Sequence, residues 1–303
     1  MGGVGEQGMG PLIKVGSRFG TSIAVGTFFG MTDWAIAAGA PMADAAGGSG
    51  PISGAGEVFV LQHGGSPTIL QQDSFGGNPS EAGDHFGASI AAADLDGNGY
   101  DDLLVGVPGE DVGSLTDSGA VQVIRTQAGG GFGPNPAPYT LTLDSPNVPG
   151  DRATGDQFGA DVTTADISGN GTPDIIVGAP GERINGRAGA GAVAVAINLG
   201  DGTPQGGSQL WSQDSGGVQD SAEAGDHFGA SLGVGQFGKG VGIDLAIGVP
   251  FEDISGHRDA GAVEVLYGTP MVLVGRGSQL WTRDSAGISG ATHANDHFGL
   301  GLP

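Results

Sequence analysis

The Phe-Gly pairs opening at Phe19, Phe86, Phe158, Phe228 and Phe298 divide this chain at intervals of 67, 72, 70 and 70 residues. After each of the first four, a Gly-x-Pro triplet closes 22 residues on, at Pro41, Pro108, Pro180 and Pro250. A register held four times over is the mark of a repeat architecture and outranks any local propensity. Repeats of about 70 residues suit one small sheet each, in a chain long enough to bury ample core, rather than separate globular domains.

The periodicity also decides how to read the composition. Glycine (64) and proline (17) make up about 27% of the 303 residues, which without a period would suggest low complexity. Here the glycines punctuate short apolar runs, the pattern of strands joined by tight turns, and long amphipathic helical stretches are absent. In the second repeat the strands are expected at 88–93, 102–107, 120–124 and 139–143. Gly119, Gly191 and Gly261 each stand 11 residues past their Gly-x-Pro proline, whereas Gly56 stands 15 past Pro41. The first repeat therefore carries a longer second-to-third connection. Four short antiparallel strands per repeat describe one blade of a β-propeller, and a solenoid, whose repeats are usually shorter, is the weaker alternative. The expected fold is all-β. It is one propeller domain over 1–303, with full repeats at about 19–85, 86–157, 158–227 and 228–297 and partial ones at 1–18 and 298–303.

Thirty-three acidic residues against ten basic ones leave a formal charge of -23. Phosphate recognition needs clustered Lys and Arg, so nucleic acid is excluded as a partner, and cations or basic surfaces are favoured. No cysteine is present, which removes disulfides and thiolate metal sites. The opening MGGVGEQGMG is not a basic segment followed by an apolar one, and no apolar run reaches about 18 residues, so neither a secretion signal within the chain nor membrane insertion is expected.

Between the first and second strands of the second repeat lie Asp94, Asp96, Asn98, Gly99 and Asp102, spaced D-x-D-x-N-G-x-x-D. Hard oxygens at alternate positions of a tight loop, with glycine at the bend, are what Ca2+ requires, and Tyr100 at the seventh position would add its backbone carbonyl. Three carboxylates converging without a cation would repel one another. The third repeat offers Asp166, Ser168, Asn170 and Asp174 with the Thr172 carbonyl, one carboxylate fewer and hence a weaker site. At the same alignment the fourth repeat reads Gln236, Gly238, Gly240 and Asp244, with Lys239 inside the loop as a stand-in for the cation. The first reads Thr27, Phe29, Met31 and Ala35, a turn without ligands.

The Phe-Gly openings, triplets such as Gly178-Ala179-Pro180 and the D-x-D-x-N-G-x-x-D loops together resemble FG-GAP repeats, the blades of the integrin α-subunit head and its bacterial relatives. The resemblance covers almost the whole chain. It implies a β-propeller, calcium in hairpin loops on the lower face, ligand recognition on the upper face, a secreted or cell-surface setting, and adhesion or ligand binding. Integrin heads close with seven such blades and four stand here, so the chain reads as part of a larger ring. The alternative is closure by four blades, with 298–303 pairing into the first.

Strand alternation places Glu110, Glu182 and Glu252, each two residues past a Gly-x-Pro proline, and Asp84, Asp156, Asp226 and Asp296, each two residues before a Phe, on the face opposite calcium. They are expected to form an acidic rim there, which would take a cationic protein or carbohydrate ligand or further cations, unless they serve only solubility. His85, His227 and His297 recur with the blade and are read as architecture; Trp211 and Trp281 are read as packing between blades, with sugar platforms the weaker alternative. No convergent Ser/His/Asp set is readable, so catalysis is not expected. The leading function is a calcium-binding extracellular binding module. The alternative is the non-catalytic propeller of a secreted, phospholipase-like hydrolase.

Overall fold

Each repeat supplies four short segments rich in Val, Ile, Leu and Ala, separated by Gly, Asp and Pro, and each segment becomes a strand. The computed structural model describes residues 14–48, 50–238 and 240–302. The first blade is β1 (Ile23–Gly30), β2 (Asp33–Ala40), β5 (Glu57–Gln62) and β6 (Thr68–Leu70). Its long second-to-third connection holds a small hairpin of β3 (Ala45–Gly47) and β4 (Gly50–Ile52). The second blade is β7 (Ile90–Ala93), β8 (Asp102–Val107), β9 (Ala120–Ile124) and β10 (Tyr139–Leu141); the third is β11 (Asp161–Ala165), β12 (Asp174–Ala179), β13 (Ala192–Ala196) and β14 (Gln209–Trp211). The fourth is β15 (Ser231–Gly235), β16 (Asp244–Val249), β17 (Ala262–Gly268) and β18 (Leu273–Trp281). In every sheet the strands lie in sequence order and antiparallel, and among the described residues no α-helix occurs.

The sheets stack face to face as propeller blades, with the first strands β1, β7, β11 and β15 adjoining in turn. Because both faces are covered, β8, β12 and β16 are buried along their whole length and read as continuous apolar runs. The seams are mainly aliphatic, with a buried aromatic ring in each, such as Phe86, Phe158 and Phe228. Val121, Val123 and Leu141 of the second blade meet Val162, Ile175 and Val177 of the third, and Val193, Val195 and Trp211 of the third meet Leu232, Leu245 and Ile247 of the fourth. At about 1.5–3 kcal/mol for each fully buried aliphatic side chain, these seams supply most of what holds blade to blade.

A polar clasp closes the upper end of each seam and explains the two motifs that set the period. An added Cβ at Gly39, Gly106, Gly178 or Gly248, the glycine of each Gly-x-Pro, would lie 2.0 to 2.1 Å from the carbonyl oxygen of the next Phe-Gly glycine. Only glycine admits that approach. The N–H groups of Phe86, Phe158, Phe228 and Phe298 donate to Ala55, Ser118, Ala190 and Ala260 of the preceding blade at 2.8 to 3.1 Å. The residue before each Phe turns left-handed, at His85, Gln157, His227 and His297 with φ from 49° to 59°. The recurring histidine thus marks a backbone conformation.

The first blade differs at its far face. Ile23, Val25 and Ile36 are 62%, 52% and 44% exposed, although the equivalent Ile90 and Leu103 are 8% and 0% exposed under the preceding blade. Residues 298–302 do not reach that face. Ser231 Oγ donates to Gly299 O at 2.8 Å, and Phe298 and Leu302 pack on Val263 and Val265 of the fourth blade.

Candidate metal centre

The two loops expected to hold calcium lie at the lower ends of their blades, between β7 and β8 and between β11 and β12. In the first, Asp94 accepts from the N–H groups of Asn98 (3.1 Å) and Gly99 (2.9 Å), and Asp96 accepts from Asn98 N at 3.2 Å. Asn98 Oδ1 accepts from Tyr100 N at 2.8 Å while its Nδ2 donates to Thr126 O at 3.0 Å. The third-repeat loop repeats the pattern. Asp166 accepts from Asn170 N and Gly171 N, both at 2.9 Å, Asn170 Oδ1 accepts from Thr172 N at 2.8 Å, and Asn170 Nδ2 donates to Asn198 O at 2.7 Å.

The last acid of each loop is set apart from the rest. Asp102 and Asp174 are wholly buried at the start of β8 and β12. Asp102 accepts from Leu95 N (3.2 Å) and Thr126 N (2.8 Å); Asp174 accepts from Ser168 N and Asn198 N, both at 2.8 Å, and from Ser168 Oγ at 3.3 Å. Asp244 does the same in the fourth blade, accepting from Phe237 N (2.7 Å), Gly238 N and Gly268 N (2.8 Å each). These carboxylates are brackets that tie the first-to-second loop to the end of the third strand 24 residues on. The fourth blade keeps the bracket although the other acids of its loop are gone; Lys239 lies outside the described residues.

Burial, with the charges of Asp96 and Asp94 adding to it, pushes Asp102 up to about 7 against the pull of its backbone donors. Asp174 is raised for the same first reason, with Asp166 adding to it. Among the described residues no ion pair involves an acid of either loop. Nor do three Asp, Glu or His side chains gather around one point as metal ligands. The carboxylates are turned onto the loops' own N–H groups. The donor chemistry nonetheless fits a hard divalent cation: every candidate ligand is oxygen, and the buried acid of each loop lacks a counter-charge.

Two segments, 86–124 and 158–195, match the family model described as "FG-GAP repeat". Each runs from the Phe-Gly pair through the loop to the third strand. The chain carries FG-GAP repeats. Curated relatives agree with this assignment. Integrin alpha-3 of Mus musculus is 37% identical over 134 residues, 40% of this chain and 11% of that protein. Integrin alpha-PS2 of Drosophila melanogaster is 27% identical over 227 residues, 72% of this chain and 14% of that protein. Phosphatidylinositol-glycan-specific phospholipase D of Dictyostelium discoideum is 26% identical over 201 residues, 63% and 20% respectively. The chain therefore spans at most a fifth of the length of these relatives. Among solved structures, the catalytic domain of Coprinopsis cinerea GH62 alpha-L-arabinofuranosidase aligns with 88% of this chain and 71% of its own at a TM-score of 0.39 and 12% identity, too loosely to carry an argument.

The opposite face of the blades departs from expectation. Asp84, Asp156, Asp226, Glu110 and Glu252 do not form a rim: they are 1% to 5% exposed, packed where the fourth-to-first connection meets the second-to-third loop. Each aspartate anchors its own turn, Asp84 accepting from Glu81 N and Asp226 from Glu223 N, both at 2.5 Å. Glu110 accepts from Gln72 Nε2 and from Asn78 Nδ2 (3.1 Å), and Glu252 from Gln213 Nε2 (2.5 Å). Burial first, and the neighbouring acid after it, hold Asp84 near 7 and Glu252 near 8. Glu182 beside Asp156 is raised by the same two causes. The exposed acids of this face are others, Glu81, Asp111, Asp117, Asp220, Glu223 and Asp253. Of the tryptophans, Trp211 is buried in the seam between the third and fourth blades, and Trp281 packs with Val263, Val265, Phe298 and Leu302. Among the described residues no helix is long and apolar enough to cross a membrane.

Proposed function

We propose that this integrin-α-like propeller module binds Ca2+ in the loops 94–102 and 166–174 and serves as an extracellular, non-catalytic adhesion or ligand-binding module. The observation that carries the metal reading is the pair of buried acids, Asp102 and Asp174, each without a counter-charge beneath a loop whose donors are all oxygen. A cation there would lower both carboxyls and offset their repulsion. The adhesion role rests on the integrin names among the relatives. The face opposite the loops suits a protein or carbohydrate ligand with cationic groups, through its exposed acids.

A second reading, the non-catalytic propeller of a secreted hydrolase, is favoured by the phospholipase D relative. The calcium loops belong to the chain under either reading, so a calcium titration of thermal stability tests the metal assignment apart from the role. A ligand that binds only the folded state raises the melting temperature with its free concentration. The melting temperature is expected to climb as calcium approaches about 1 mM, the range of extracellular sites, and Asp94→Ala is expected to lose most of that climb. A flat titration would remove the metal assignment.

A further inference from the structure

Asn198, in the loop between β13 and β14, is wholly buried and stands between the two loops just described. Its Nδ2 donates across the seam to Leu95 O at 2.7 Å and within its own blade to Pro173 O at 3.1 Å. Its Oδ1 accepts from Gly200 N (2.9 Å) and Gly202 N (3.0 Å). Its main chain is tied as closely. Asn198 N donates to Asp174 Oδ1 at 2.8 Å, and Asn198 O accepts from Asn170 Nδ2 and Thr172 Oγ1.

Leu95 sits between Asp94 and Asp96, and its own N–H donates to Asp102. An unbroken hydrogen-bonded path thus runs from Asp102 through Leu95 and Asn198 to Asp174, linking the buried acid of one loop to that of the other. The equivalent residue of the second blade, Thr126, spends its hydroxyl on Asp101 O within its own blade. Among the described residues, blade three alone extends a side chain from this position to the loop of its predecessor. Every hydrogen-bonding group of the Asn198 side chain is engaged, so a shift of Leu95 or of Asp174 must be accommodated by the other or break a buried bond, at a cost comparable to leaving a polar group unsatisfied.

We propose that Asn198 couples the two loops, so that a calcium ion in either strengthens binding in the other. This rests on the calcium reading above. Ordering Asp94–Asp102 around an ion would fix the Leu95 carbonyl, hold Asn198, and present Asp174 and Asn170 to the second ion already arranged. Such coupling is reciprocal, with an ordinary size of about 5- to 150-fold.

The test is isothermal titration of the full chain with calcium chloride, in wild type, Asp94→Ala, Asp166→Ala and Asn198→Ala, each also followed by thermal melting. Wild type should take up two ions cooperatively. Asp94→Ala and Asp166→Ala should each keep one ion, bound at least about 5-fold more weakly than the tighter wild-type step. In an Asn198→Ala background, removing Asp94 should leave the remaining constant unchanged. If Asn198→Ala fails to fold, the two aspartate variants decide alone. Two wild-type ions with independent constants, one of them retained unaltered in Asp94→Ala, would overturn the coupling and leave the calcium reading standing. No binding to wild type would overturn both.

Discussion

Replacing Asp244 separates the structural duty of the bracket acids from any metal. Its blade lacks the other loop carboxylates, yet Asp244, 2% exposed, accepts three backbone N–H groups at 2.7 to 2.8 Å. Bonds to an ionised acceptor contribute about 1.5–3 kcal/mol each, and a donor left unpaired in the interior costs about 1–3 kcal/mol. The loop residues Phe237 and Gly238 are exposed, so water can replace most of what they lose. Gly268, at the end of β17, is less accessible. Counting one donor in full and two at a fraction gives about 3 kcal/mol for Asp244→Ala and about half that for Asp244→Asn, which keeps one acceptor. At about 2–4 °C per kcal/mol, the alanine variant should melt about 6–12 °C below wild type. The assay is thermal melting by circular dichroism in EDTA, so that no cation contributes. Asp94→Ala, whose two bonds lie on a hydrated loop, should fall by far less under the same conditions and diverge only when calcium is added. An Asp244→Ala protein that melts within about 1 °C of wild type would refute the bracket, and with it the claim that Asp102 and Asp174 serve the fold before they serve a metal.

Further outcomes follow from the upper ends of the blades. Asp84, Asp226 and Glu252, held near 7, 6 and 8 mainly by burial, bind protons more tightly folded than unfolded. Their stabilisation is therefore complete below about pH 4 and is lost as pH rises toward about 8, which makes metal-free protein melt higher at pH 5 than at pH 8.5. Glu252→Gln should flatten that slope and raise the melting temperature at pH 8.5; a drop of the same size at both pH values would contradict the assignment. Gly178→Ala would place a methyl 2.0 Å from Gly229 O, a backbone clash expected to destabilise the third seam by about 3 kcal/mol, read as a lowered denaturation midpoint. Gly186→Ala, with φ of 88° but nothing within 4 Å, should cost only about 1 kcal/mol of backbone strain.

The strands of the second blade were legible almost to the residue, 102–107 and 120–124 matching β8 and β9, because a doubly covered sheet writes itself as unbroken apolar runs between glycines. The Phe-Gly and Gly-x-Pro motifs gave the period, but their shared purpose lies in a contact between residues about 50 apart, such as Gly106 against Gly159, which no single repeat reveals. Glu110 and Glu252 read as surface acids because charge and a preceding proline suggest a solvated loop. Their burial depends on Gln72 and Gln213 from the blade before. Asn198 escaped notice because its counterparts are Thr126 and Gly268, so no letter repeats. The signal was a spacing: each lies 24 residues after its bracket aspartate.

Every described seam is fastened at its upper end by a Phe-Gly glycine seated on the previous Gly-x-Pro. At its lower end the outer loop of the next blade reaches back over the last, as Gly131 N does to Phe28 O at 2.7 Å and Asn198 does to Leu95. Fasteners at opposite poles leave no hinge line. A tilt that would relieve one pole strains the other, and sliding is blocked by the interdigitated aliphatics between them. Neighbouring blades should thus respond to a pulling force as a stiff unit, yielding only when both poles let go together.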